Sequence, residues 1–358
     1  MSTLKKLQAR LAEIETDGIL VSSELNQRYL SSFDYTDGYL LITPTHACLL
    51  ADSRYTEAAK MTVSSEWEVI RPEGTMVEKI KELTASFGIQ RLAIEEEDLS
   101  CASFQKLSKA LEGCTLCTGG SAIFSRLRRI KTAKELETIA QAQAITDLAF
   151  AHILDFLSPN VTEKDVALEL EFFMRKHGAE SAAFDTVAVS GAASSLPHGV
   201  PSTEKLREGF LTMDFGAKVD GYCSDMTRTV VIGKASEEMK KIYNTVLTAQ
   251  TAALEQIAEG MLCRDADEIA RSIIRNAGYG EYFGHSLGHG VGLFIHEAPS
   301  LSGRADEKAR LERGNVITVE PGIYLEGKFG CRIEDMIAID LDGSVRNFTK
   351  SPKELIVI

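Results

Sequence analysis

Leu4, Leu7, Leu11 and Ile14 recur at three- and four-residue steps, the spacing of one face of an amphipathic helix. GILVSS, over 18–23, is a short continuous apolar run and predicts a buried strand. GYLLIT (38–43) and ACLLA (47–51) read as a hairpin turning at Pro44-Thr45-His46. A helix near 76–87, a strand at 91–95 and a helix near 101–111 complete a small α/β unit. This stretch has no glycine-rich strand-to-helix turn of the phosphate-binding kind.

The pattern changes near 121–132, where a basic run within SRLRRIKTAKELETI precedes Thr132 and Glu135, spaced as a capping box. The change sets the expected domains at 1–125 and 126–358. A long helix is predicted from 133 to 157, ending at Ser158-Pro159, and a second from Thr162 to His177-Gly178. A strand-rich stretch covers 184–233. Helices follow over 236–258 and 264–276, the latter closed by Asn276-Ala277-Gly278, and the remainder is rich in strands. The larger domain thus reads as helices, strands, helices, strands. That is a duplicated pattern of antiparallel sheet covered by helices, an α+β class.

Composition narrows the partners. The formal net charge of −13 argues against a nucleic-acid binder, which would carry a basic patch, and is compatible with a substrate bearing a free amino group. The opening MSTLKKLQARLAEIE reads as an amphipathic helix rather than a signal peptide, and no apolar run is long enough to span a bilayer. Seven cysteines, odd in number and scattered, fit reduced thiols and a cytoplasmic protein. Cys114 and Cys117 lack the second pair a zinc site needs and read as two residues of a short strand.

Five residues carry the chemistry: Asp214, Asp225, His289, Glu320 and Glu334. Their segments, GFLTMDFGA, GYCSDMTRTVVI, GHSLGHGVG, NVITVEPGIY and CRIEDMIAI, are apolar or glycine-rich, and an unpaired charge there is costly. Four such carboxylates suggest a shared cation. Mostly oxygen donors with one imidazole suit Mn, Co, Zn or Fe, and a pair of ions better than one. Two ions bridged by carboxylates and a water are a route to peptide hydrolysis. Asp214 and Asp225 lie on two strands that a short turn could bring side by side. The glycines around His289 argue for a loop entering a strand, so His289 is the expected ligand and His285 a substrate-side group. Glu334 and Asp335 are both candidates. Arg332, expected on the strand face of Glu334, would orient it and offset its charge, which selects Glu334. His198, between two prolines, and His296 are either loop residues or substrate contacts.

These segments, in this order, resemble the pita-bread metallopeptidases. GHSLGHGVGLFIHEAP with EPGIY and RIEDM most resembles the proline-specific branch, aminopeptidase P and Xaa-Pro dipeptidase. LLADSRYTEAA (49–59) is similar to that branch's non-catalytic domain. The resemblance implies a C-terminal pita-bread domain behind a smaller N-terminal α/β domain. It implies one metal held by Asp225, His289, Glu320 and Glu334, and another held by Asp214, Asp225 and Glu334. Manganese is the ion it favours. A bridging water or hydroxide would attack the scissile carbonyl, and Glu320 would take its proton. His296 and His198 would contact the substrate carbonyl, His285 would line the proline side, and Tyr324 and Arg332 would support the site. The implied substrate is a peptide with proline second, and the implied assembly a homodimer. Two alternatives stand beside this reading. One is a metal-free interaction module on the same fold, and the other an aminopeptidase without proline specificity.

Overall fold

The computed structural model describes residues 2–358, which form two compact units, one ending at Leu127 and one of Arg128–Ile358. In the first, strands β1 (Gly18–Val21), β2 (Tyr39–Ile42), β3 (Ala47–Leu50), β4 (Glu68–Ile70), β5 (Arg91–Ile94) and β6 (Thr115–Cys117) make one sheet. Its order is β4-β3-β2-β1-β5-β6. The expected hairpin is β2–β3, with Leu40 opposite Leu49. Ile19, Val21, Leu40 and Ile42 face one side with Leu4, Leu7 and Leu11 of helix α1 (Thr3–Arg10). Leu20, Leu41 and Leu50 face the other, with Ile80 of α4 (Met76–Ser86) and Leu107 of α5 (Cys101–Ala110). Both faces are covered, so these strands are apolar at every position rather than alternating.

Helices α2 (Glu24–Ser31), α3 (Thr56–Thr62) and α6 (Gly120–Arg129) are additions to the sequence-based expectation. Helix α6 occupies the stretch read as a boundary. Its apolar face, Ile123, Phe124 and Leu127, is interleaved with the basic run that suggested a break.

The second unit opens with α7 (Ala133–Phe156), started by the Thr132–Glu135 capping box, and α8 (Glu163–Lys176). Strands β7 (Ser181–Ala182), β8 (Val187–Ser190), β9 (Gly209–Phe215), β10 (Ala217–Val219), β11 (Tyr222–Cys223) and β12 (Met226–Ile232) follow. The pattern then repeats with α9 (Glu237–Gln256) and α10 (Cys263–Asn276). After them come β13 (Gly288–Gly290), β14 (Glu297–Leu301), β15 (Val316–Val319), β16 (Gly322–Leu325), β17 (Phe329–Arg332), β18 (Asp335–Ile339) and β19 (Val345–Asn347). The central ladders are β12-β9-β8 in the first half and β14-β13-β15-β18-β19 in the second. Each half packs one helix pair on its strands, with separate apolar clusters around Leu170 and Phe215 and around Val246 and Ile337. Among the described residues no helix is long and apolar enough to cross a membrane.

Two expectations are corrected. Asp214 and Asp225 are not joined by a short turn: β10 and β11 form a hairpin of their own between them, turning at Asp220 and Gly221, where φ is positive. The pairing nonetheless returns, with Phe215 opposite Met226 and Asp214 opposite Thr227. CRIEDMIAI is not one strand either. The chain leaves β17 at Arg332, crosses between sheets, and enters β18 at Asp335, so Glu334 sits in the crossing.

Candidate metal centre

The β9–β12 ladder supplies Asp214 near the end of β9 and Asp225 just before β12. The second half supplies His289 from β13, Glu320 just beyond β15 and Glu334 just before β18. The glycines beside His289 permit this convergence. A Cβ on Gly288 would lie 2.0 Å from the Thr318 carbonyl oxygen, and one on Gly290 2.3 Å from that of Ala298. Only bare backbone lets β13 pass between its neighbours so closely.

All ten residues singled out in the sequence, the five above with His198, His285, His296, Tyr324 and Arg332, line one cavity of about 1020 Å³. Donor atoms of Asp225, His289 and Glu334 lie within 4.8 Å of one another. His289 donates its Nδ1–H to the Gly290 carbonyl at 3.1 Å. Its bare Nε2 therefore faces Asp225 Oδ2 at 3.6 Å and Glu320 Oε1 at 3.4 Å, as a ligating imidazole is normally oriented. Thr227 Oγ1 donates to Glu334 Oε2 at 2.7 Å, and Thr318 Oγ1 to Glu320 Oε1 at 3.1 Å.

The electrostatics show what the cluster lacks. Burial, then Glu334, Asp214 and Glu320, push Asp225 well above the ordinary carboxylate range. Burial, then Glu320 and Asp214, do the same to Glu334. Burial pushes Glu320 to about 8, with Arg332 opposing and Asp214 adding. Arg332 sits among these acids, with Nη2 2.5 Å from Asp214 Oδ2. One guanidinium does not balance four carboxylates. Two buried oxygens, Asp214 Oδ1 and Glu334 Oε1, have no hydrogen-bond partner in the protein. A donor set of hard oxygens and one neutral imidazole, short of positive charge and with unsatisfied lone pairs, fits divalent cations.

The remaining residues form a chain of fixed polarity. Arg332 Nη1 donates to the Tyr324 hydroxyl at 2.8 Å, and that hydroxyl donates to His285 Nε2 at 3.0 Å. His285 Nδ1–H is held by the Ser286 carbonyl at 2.8 Å. Burial, then Arg332, pulls the His285 imidazole down to about 4, so it is neutral near pH 7. From α10, Arg271 holds the His285 carbonyl at 2.7 Å. The His296 ring meets that of His289 edge-on at 4.4 Å.

Sequence reading missed the groups behind the centre. Arg228, 1% exposed, donates to the Glu334 carbonyl at 2.6 Å and pairs with Asp335 at 2.8 Å. This pair explains why Asp335, the rival to Glu334, turns away from the cavity. An arginine inside the apolar run MTRTVVI was the available signal.

Residues 137–340 match the family model of metallopeptidase family M24, and residues 3–130 that of the creatinase/prolidase N-terminal domain. The chain is 37% identical to an Xaa-Pro dipeptidase of Pyrococcus horikoshii, over 99% of this chain and 98% of that protein. The structure of an Xaa-Pro dipeptidase from Bacillus anthracis is 42% identical, with a TM-score of 0.95 over 99% of each chain. That of an X-Pro aminopeptidase from Thermotoga maritima is 37% identical, with a TM-score of 0.89 over 98% of this chain and 100% of the other.

Proposed function

The chain belongs to metallopeptidase family M24, and from that premise we propose that it hydrolyses the bond between an N-terminal residue and a following proline. One observation carries the reading at this site. Donor atoms of Asp225, His289 and Glu334 meet within 4.8 Å, beside two buried carboxylate oxygens without partners. Two divalent ions would be held, one by Asp225, His289, Glu320 and Glu334 and the other by Asp214, Asp225 and Glu334. Manganese is the ion proposed. When bound, the ions supply Lewis acidity and hydroxide near neutral pH.

The protein's own groups do the rest. Glu320 accepts the proton released by the attacking water at its carboxylate. His296 and His198 donate to the substrate carbonyl oxygen as it gains charge. His285, with Nε2 already occupied by Tyr324, packs against the proline side. Arg332 fixes Asp214 and Tyr324 and limits the excess of negative charge. The N-terminal domain, taken as 1–125, is proposed to be non-catalytic beside a catalytic domain of 126–358, in a homodimer. Seven free cysteines, among them four buried ones, support a reducing, cytoplasmic setting.

The test compares hydrolysis, by manganese-loaded protein, of an Xaa-Pro dipeptide, an Xaa-Pro-Xaa tripeptide and an Xaa-Ala-Xaa control. Cleavage of proline peptides alone supports the reading, and the better of the first two distinguishes dipeptidase from aminopeptidase action. Equal cleavage of the control means an aminopeptidase without proline specificity. No cleavage and no metal uptake means an interaction module.

A further inference from the structure

Beside the cavity lies a buried ionic cluster that the mechanism above leaves without a role. Glu297 follows His296 in the chain, and its side chain is 3% exposed. Its Oε1 accepts from Arg128 Nε at 3.0 Å and from the Phe294 backbone N–H at 3.1 Å. Its Oε2 accepts from Lys131 Nζ at 3.2 Å, and Lys131 is 1% exposed. Burying a lysine and a glutamate is costly even when they are paired, and a pair of apolar residues would fill the space as well. Burial pulls the Lys131 ammonium below its ordinary range, against the pull of Glu297.

The cluster is built around one loop. Residues 291–296 connect β13, which carries His289, to β14, which begins at Glu297. The β13–β14 register shifts between His289 and Gly290, so the ladder alone does not hold the loop in step. The loop instead curls over the Glu297 carboxylate. Phe294 donates its N–H to that carboxylate, and a Cβ on Gly292 would lie 2.5 Å from Glu297 Oε2. The chain bends at His296 and enters β14 at Glu297. With Glu297 fixed between Arg128 and Lys131 at the first residue of the strand, the adjoining His296 is held lining the cavity, where its ring meets His289. The anchor is itself rigid. The Lys131 N–H is held by the Gly314 carbonyl at 2.8 Å, and the next residue, Thr132, caps α7.

We propose that Glu297, gripped by Lys131 and Arg128, is the positioning residue that aims His296 at the substrate carbonyl. The inference rests on the role given to His296 under Proposed function. Lys131 and Arg128 act through Glu297 and touch neither substrate nor metal.

The test is a double-mutant cycle on manganese-loaded protein, combining Glu297→Gln with His296→Ala. Glutamine keeps an acceptor for the Phe294 N–H and loses the charge. Because it leaves Lys131 buried without a counter-charge, a second variant, Lys131→Met with Glu297→Gln, removes both charges and protects folding. The expected result is a fall in kcat of up to about 100-fold, the scale of a misplacement near 1 Å, with KM and bound metal unchanged. In the His296→Ala background the same changes should cost nothing further, because coupled residues are not additive. A readout without turnover is the ¹⁵N spectrum of labelled histidine in the paired variant. There the His296 ring signals should shift and broaden, while those of His46, His152 and His177 stay in place. Equal fold-losses in both backgrounds, or an unmoved His296 signal, overturn the clamp. Wild-type kinetics in His296→Ala overturn the role of His296 and the clamp together, which separates the two failures.

Discussion

Glu334 has one oxygen held by Thr227 at 2.7 Å and another buried without a partner. That asymmetry makes it costly in the metal-free protein and useful in the loaded one. Replacing it, or Asp225, with alanine relieves repulsion among buried acids, so metal-free Asp225→Ala and Glu334→Ala should melt no lower than wild type. What they should lose is the rise on adding manganese, worth about 2.7 kcal/mol for wild type at a hundredfold excess over Kd. Scanning calorimetry with and without manganese reads this, and a variant that keeps both the full rise and turnover contradicts the centre. The acids were legible because carboxylates in apolar strands violate propensity. Thr227, Thr318 and Glu297 were not, because hydroxyls and a glutamate beside a glycine-rich loop look like ordinary surface residues. Their roles arise only when β12 meets β18 and the loop folds over its own carboxylate.

At the level of elements, periodicity located helices whose apolar stripes were uninterrupted and missed α2, α3 and α6. It also read one strand through Arg332 and Asp335, because apolar alternation continues across a point where the chain changes sheets. Helix α2 shows how tertiary contacts substitute for a local signal. Ser23, its N-cap, makes no side-chain cap bond. Glu95, just beyond β5, instead anchors the start of the helix by accepting from the Ser22 and Ser23 N–H groups at 2.6 and 2.9 Å and from the Asn26 side-chain amide. Burial nevertheless raises Glu95 from an ordinary 4.5 to about 7. A folded-state value above the unfolded one stabilises below pH 4.5, and the gain is lost as pH rises through 7. The first unit should therefore lose up to about 3 kcal/mol between pH 5 and 8, and Glu95→Gln should flatten that slope. Trp67, the single tryptophan and buried in this unit, reports the transition by fluorescence in urea. An identical slope in wild type and variant would exclude Glu95 as its source.

For the whole molecule, the sequence made the succession of helices and strands readable, since α7–α8 and α9–α10 each precede a run of strands. Beyond the β2–β3 hairpin and the pairing of the Asp214 and Asp225 strands, it did not reveal which strands pair, because partners such as Gly290 and Ile317, or Gly18 and Leu92, come from distant segments. All five metal-binding candidates lie in the second unit, so loading should slow amide exchange in β9, β12, β13, β15 and β18 and leave β1–β6 as they were. Hydrogen exchange followed by mass spectrometry tests this, and protection spread evenly over both units would contradict it. The duplicated helix–strand pattern has one more consequence. Asp214 and Asp225 come from its first half, and His289, Glu320 and Glu334 from its second. Neither half holds all five, so ions bound there as proposed would act as a rivet through the seam. A chain nicked at the exposed Gly233–Lys234 link should fall into two pieces more readily when stripped of metal, and be clinched back into one body when metal is returned.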